Sequence, residues 1–159
     1  MANICKYKVI VKGKKNACYA FFGSMAAYNC KDIVSESGTD DNFTLFFTGD
    51  CKWSVDSYCK PWEGEFPVKL PEDPYEAMLE AERKYWYKTV QEHSKMFDVE
   101  VKCNSGDIEG DYSKYIKLAE AGVMNFDKNN IGRYEHYKSG EPAGGKCPKK
   151  LYVAACGCD

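Results

Sequence analysis

The chain has 159 residues, enough for one domain that buries roughly 70% of its extended surface, so its core needs no disulfide or metal staple. Lys+Arg 22 against Asp+Glu 24 gives a net charge of −2, which argues against a general polyanion binder. The apolar runs are too short to span a bilayer, and the opening MANICKYKVIVKGKK lacks the apolar core of a signal peptide, so a cytoplasmic protein without membrane contact is expected.

ICKYKVIVK (4–12) alternates with period two: Cys5, Tyr7, Val9 and Val11 face one way, and Lys6, Lys8, Ile10 and Lys12 the other, the pattern of a half-buried strand. Gly13 closes it. Asn16 then reads as the N-cap of a short helix, ACYAFFG, with Gly23 as its stop. KDIVSES (31–37) reads as a second strand, GTDDN as a turn, and NFTLFFTG (42–49) as a third strand with Phe43, Leu45 and Phe47 on one face.

LPEDPYEAMLEAERKYWYKTVQEHSKMF (70–97) carries the strongest helix signal. Asp73 is the expected N-cap, Pro74 takes the first helical position, and Glu76 completes a capping box. Tyr75, Leu79, Trp86, Val90, His93 and Phe97 recur at helical spacing and predict one buried stripe along one long helix. DVEVKC (98–103) alternates again, with Val99, Val101 and Cys103 inward.

The predicted order over residues 4–103 is β-α-β-β-α-β. The expected fold is α+β: a ferredoxin-like, split β-α-β antiparallel sheet with two helices on one face. This core spans residues 1–104. A β-rich C-terminal extension, residues 105–159, packs on it, with DYSKYIKLAEAGV, IGRYEHYK and KLYVAAC as short strand or hairpin segments. The uncovered sheet face would carry Lys6, Lys8, Ile10, Lys12, Thr44, Phe46, Glu100 and Lys102. RNA-binding sheets of this topology display paired aromatics there. One Phe among lysines makes nucleic acid the lesser expectation, with the C-terminal hairpins or a partner covering part of the face.

The strand ending in VKG, the Trp-centred GDCKWSVDSY after the third strand, and MFDVEVKCNSGDIEGDY after the long helix form one pattern. Over about residues 5–118 it resembles the ferredoxin-like domain of uncharacterised phage- and plasmid-borne proteins. That resemblance implies a fold and an origin in a mobile element. It implies no activity and supplies no catalytic residues.

Nine cysteines without a CxxC are expected to be reduced and to act as small buried hydrophobes. In GDCKWSVDSYCKPW (49–62), Cys51 and Cys59 are too far apart for a zinc knuckle or redox pair, and Trp53, Val55, Tyr58 and Trp62 fit a packing corner. Cys147, Cys156 and Cys158, with His136, form the better metal candidate, against the plainer reading of a strand with a frayed end. GEPAGGK (140–146) imitates a phosphate loop, but Cys147 stands where a hydroxyl is needed, and Pro148 follows it. His93 reads as a core imidazole. Cys18, near a helix start, reads as buried rather than reactive. In NSGDIEGD (104–111) a calcium loop would need Glu where Tyr115 stands. Glu76, Glu80 and Glu82 read as solvated helix surface, with Glu80 and Lys84 as an i,i+4 pair.

No catalytic residue, cofactor site or metal ligand is therefore assigned. The expectation is a small non-enzymatic binding or interaction module with a protein partner. The alternatives are a zinc-stabilised module using the C-terminal cysteines and a nucleic-acid binder using the open sheet face.

Overall fold

A computed structural model describes residues 4–25, 30–52, 64–85, 89–106, 124–127 and 132–152. Strand β1, Ile4–Gly13, turns its alternation into burial: Cys5, Tyr7, Val9 and Val11 are buried on one face, while Lys6 and Lys8 on the other are half-buried and Lys12 is exposed. Helix α1, Lys15–Ser24, follows with no side-chain cap. Asn16, expected to cap it, instead donates from Nδ2 to the carbonyl of Pro71 at 2.8 Å. Gly23 does not stop the helix either. A Cβ there would run into the backbone carbonyl of Met78, so glycine is needed for close approach of a second helix.

Strands β2, Cys30–Gly38, and β3, Phe43–Lys52, form a hairpin. Its turn is closed by paired backbone bonds between Thr39 and Asn42, with Gly38 at φ 109°, where a side chain would be strained. Helix α2, Pro74–Lys84, starts as its sequence implies: Asp73 accepts from the Glu76 amide at 3.0 Å, and Pro occupies the first turn.

The single long helix is not what forms. The chain leaves α2 at Tyr85 and starts again as α3, Val90–Phe97, where the Thr89 hydroxyl accepts from the Glu92 amide at 3.1 Å. Thr89 and Glu92 are a second S/T-x-x-E start signal inside the apolar stripe. The stripe holds in α3, where Val90, His93 and Phe97 are buried, and Trp86 lies outside the described residues. In α2 the buried residues are Ala77 and Ala81, while Tyr75 is 62% exposed and Leu79 40%. The small face meets α1, because Gly23 and the two alanines allow the backbones to approach. Among the described residues three α-helices thus stand where two were expected.

Strands β4, Glu100–Ser105, β5, Met124–Asp127, β6, Gly132–Lys138, and β7, Glu141–Pro142, complete the sheet, and a 3-10 turn spans Lys149–Leu151. The fold is α+β. Every pairing is antiparallel, in the order β2-β3-β1-β4-β6-β5, with β7 added to β6. The C-terminal strands thus continue the sheet through the β4–β6 pairing. The inward residues of β1, β3 and β4 form one apolar core with α1, α2 and α3, including Cys5, Cys18 and Cys103.

The opposite sheet face is partly closed by residues 143–152. Leu151 is buried against Ile10, Phe46 and Tyr134, with Cys147 beside them. Asn104 Nδ2 donates to the Leu151 carbonyl at 2.6 Å and Lys8 Nζ to the Tyr152 carbonyl at 2.8 Å. KLYVAAC, expected as a strand, begins as this 3-10 turn; its residues from 153 on, and DYSKYIKLAEAGV, lie outside the described residues.

Candidate interaction surface

Most side chains with chemical potential are engaged in packing. Cys18 is fully buried, its Sγ lying 3.7 Å from the Val11 carbonyl and 3.8 Å from that of Phe43. Burial pushes its thiol up to about 12, the reverse of what a nucleophile requires. His93 is 1% exposed, donates from Nε2 to the Tyr85 carbonyl at 2.7 Å, stacks on Phe97 and meets Phe21 edge-on. On the core face of β6, Arg133 and Glu135 form a buried ion pair at 2.8 Å. Sequence reasoning missed that pair, although RYEHYK alternates and its two charges share a face with the inward Tyr137.

On the opposite face, His136 donates from Nδ1 to the Gly144 carbonyl at 2.6 Å and its Nε2 lies 3.2 Å from Glu100 Oε2. Both nitrogens thus have oxygen neighbours, and the histidine fastens residues 143–152 to the sheet. Burial, reinforced by Cys147, Glu100 and Cys103, holds the Tyr134 phenol above its usual range. Phe46, the one aromatic expected to face outward on β3, is 9% exposed and lies beneath Lys150 Nζ at 5.4 Å. Glycines 144 and 145 have left-handed φ, and residues 143–148 form no helix, so GEPAGGK offers no helix N-terminus to a phosphate.

Among the described residues there is no group of three or more His, Cys, Asp or Glu able to hold a metal. Cys156 and Cys158 of the metal candidate lie outside them, as do Trp53, Val55, Tyr58, Cys59 and Trp62 of the packing corner and positions 107–111 and 115 of the acidic loop. Glu76 and Glu82 are exposed as expected, and Glu80 pairs with Lys84 at 2.8 Å.

The surface that stands out is the flank formed by β2 and α2. Among the described strands β2 is an edge that pairs with β3 alone. All its residues from position 32 onward are exposed, including Ile33 at 38% and Val34 at 56%. The pairing slips between Ile33 and Ser35, so Val34 sits in a bulge. On α2, Tyr75, Leu79 and Glu82 are spaced i, i+4, i+7 and share one face.

Two observations place that helix beside the strand. The start of α2 shares a cleft of about 290 Å³ with the hairpin turn, lined by Lys14, Lys15, Asp40, Asp41, Glu72 and Pro74. Near its end, Glu82 acts electrostatically on Lys31 at the start of β2. The helix thus starts near the hairpin turn and brings Glu82 toward Lys31, while its body packs on α1 and Tyr85 at its end meets Phe97 of α3. Lys31 Nζ donates to the carbonyls of Phe22 and Met25 at 2.8 and 2.9 Å, closing the C-terminal end of α1, and lies 4.8 Å from the Phe22 ring centre. Burial brings its ammonium down to about 8, with Glu82 acting in the other direction.

Sequence reasoning placed Tyr75 and Leu79 in the core by their helical spacing; the signal against it was the Gly23, Ala77 and Ala81 combination. Among the described residues no helix is long and apolar enough to cross a membrane. No family model, curated protein or solved structure matches the chain.

Proposed function

We propose that the chain is a small, non-enzymatic interaction module that docks a protein partner on the β2–α2 flank. Its scaffold, on this reading, is ferredoxin-like, of the kind carried by phages and plasmids; the β2-β3-β1-β4 order, with α1 between β1 and β2, supports that arrangement. One observation carries the function. Of the six exposed large hydrophobics among the described residues, Ile33, Val34, Tyr75 and Leu79 all lie on this flank. Single exposed apolar residues are ordinary, whereas a cluster next to an open sheet edge marks a contact surface. The opposite face supports the same choice, because its apolar positions are already covered by residues 143–152.

Site-specific photocross-linking tests this reading. A photoreactive side chain at position 34 or 79 should give a discrete protein adduct in cells making the full chain. The same group at Lys12 or Lys102, on the opposite face, should give none. Adducts of equal yield from all four positions, or none from positions 34 and 79, would contradict it.

A further inference from the structure

We infer that the partner presents a basic, extended segment that adds to β2 as an extra strand. The inference rests on the interaction reading above and goes on to name the chemistry of the occupant. An edge strand offers an unpaired row of backbone donors and acceptors, and an incoming strand satisfies them while its alternate side chains read the surface. Here Ile33 and Val34 supply exposed apolar contacts on the strand itself.

Charge decides among the occupants. Asp32 and Glu36 are exposed on the strand, and Asp40 and Asp41 on its turn are balanced by Lys14 and Lys15 in the same cleft, so the strand's own carboxylates set the charge of the edge. The lysine of the strand, Lys31, is already committed to the carbonyls at the end of α1. A second copy of this chain is a poor occupant: pairing β2 with itself would line up the carboxylates of both strands along one seam, and like charges opposed across strands are destabilising. The register sets Asp32 on the face of Thr48 and Glu36 on the face of Leu45, one carboxylate to each side of the strand, so the edge is guarded against its own kind and suits a segment that carries Lys or Arg on both faces among Val, Ile or Thr.

The test is a selection of displayed random nonapeptides on the folded full chain. Enriched peptides should combine basic and β-branched residues, bind less tightly as salt rises, and slow amide exchange along β2. The double variant Asp32→Lys, Glu36→Lys, both at exposed positions, should keep its circular dichroism and weaken the selected peptides by at least about tenfold. Acidic or neutral peptides that still protect β2 would overturn the basic-segment inference and leave the interaction reading standing. Peptides that ignore the double variant and protect other residues would overturn both, and failure to enrich any peptide would overturn the inference.

Discussion

Gly23 shows how one residue sets the spacing of two helices. On an isolated helix, Gly23→Ala would be favourable by about 1 kcal/mol. Here the added Cβ meets the Met78 backbone carbonyl, which cannot swing aside as a side-chain end would. The expected net result is a loss of about 1–3 kcal/mol, the usual cost of overpacking, read from urea unfolding; a gain would contradict the α1–α2 contact. Lys31 gives a second residue-scale test, through pH. Its unfolded ammonium titrates near 10.5 and its folded one near 8. Below pH 8 both states are charged and folding bears the full cost of burying the cation. From about 8 to 10.5 the unfolded state holds more protons, so stability rises with pH across that window. The stability of the native chain relative to Lys31→Met should therefore climb between those values and be flat on either side. A relative stability that falls across the window would reverse the assignment. At this scale the sequence was legible where burial follows size, as for Tyr7, Phe47 and Val101. It was not legible at Gly23, whose role depends on a carbonyl more than fifty positions away, or at Lys31, whose acceptors belong to another element.

Helix starts are local chemistry, and they explain why the long apolar stripe divides. Asp73 and Thr89 each accept from the amide three residues on, so each opens its own helix. Thr89→Ala should cost about 1 kcal/mol through loss of that cap, and the loss should appear in thermal or urea unfolding. In an unbroken helix Thr89 would be an interior residue, and Ala there would be neutral or stabilising; that outcome would contradict the break. The two starts are both visible as sequence patterns, but a run of apolar residues at helical spacing bridged them. The strands were easier to read. The alternation of β1 and β4 gave their faces directly, since period two leaves little freedom once one side is apolar. The cover over Ile10 and Phe46 was harder, because residues 143–152 carry no periodicity and are held by Asn104, Lys8 and His136 from three different strands.

Across the whole molecule the small net charge conceals a division. The β2 hairpin carries exposed carboxylates at Asp32 and Glu36, and at Asp40 and Asp41 beside Lys14, while Lys12, Lys138, Lys149 and Lys150 are exposed on or beside the opposite, covered face. A count of charges could not show this, because the division depends on which strand lies at the edge. Pairing order is a long-range property that residue spacing does not encode. The central claim is that β2 is an open edge, and amide hydrogen exchange on the free protein tests it most directly. In an edge strand paired on one side, alternate amides point outward. The expected result is a fast–slow alternation along Lys31–Gly38 that shifts by one residue at the Val34 bulge, beside slow exchange throughout the central strand β1. Uniform protection along β2, equal to that of β1, would mean that another segment already occupies the edge, and would contradict its role as a docking site.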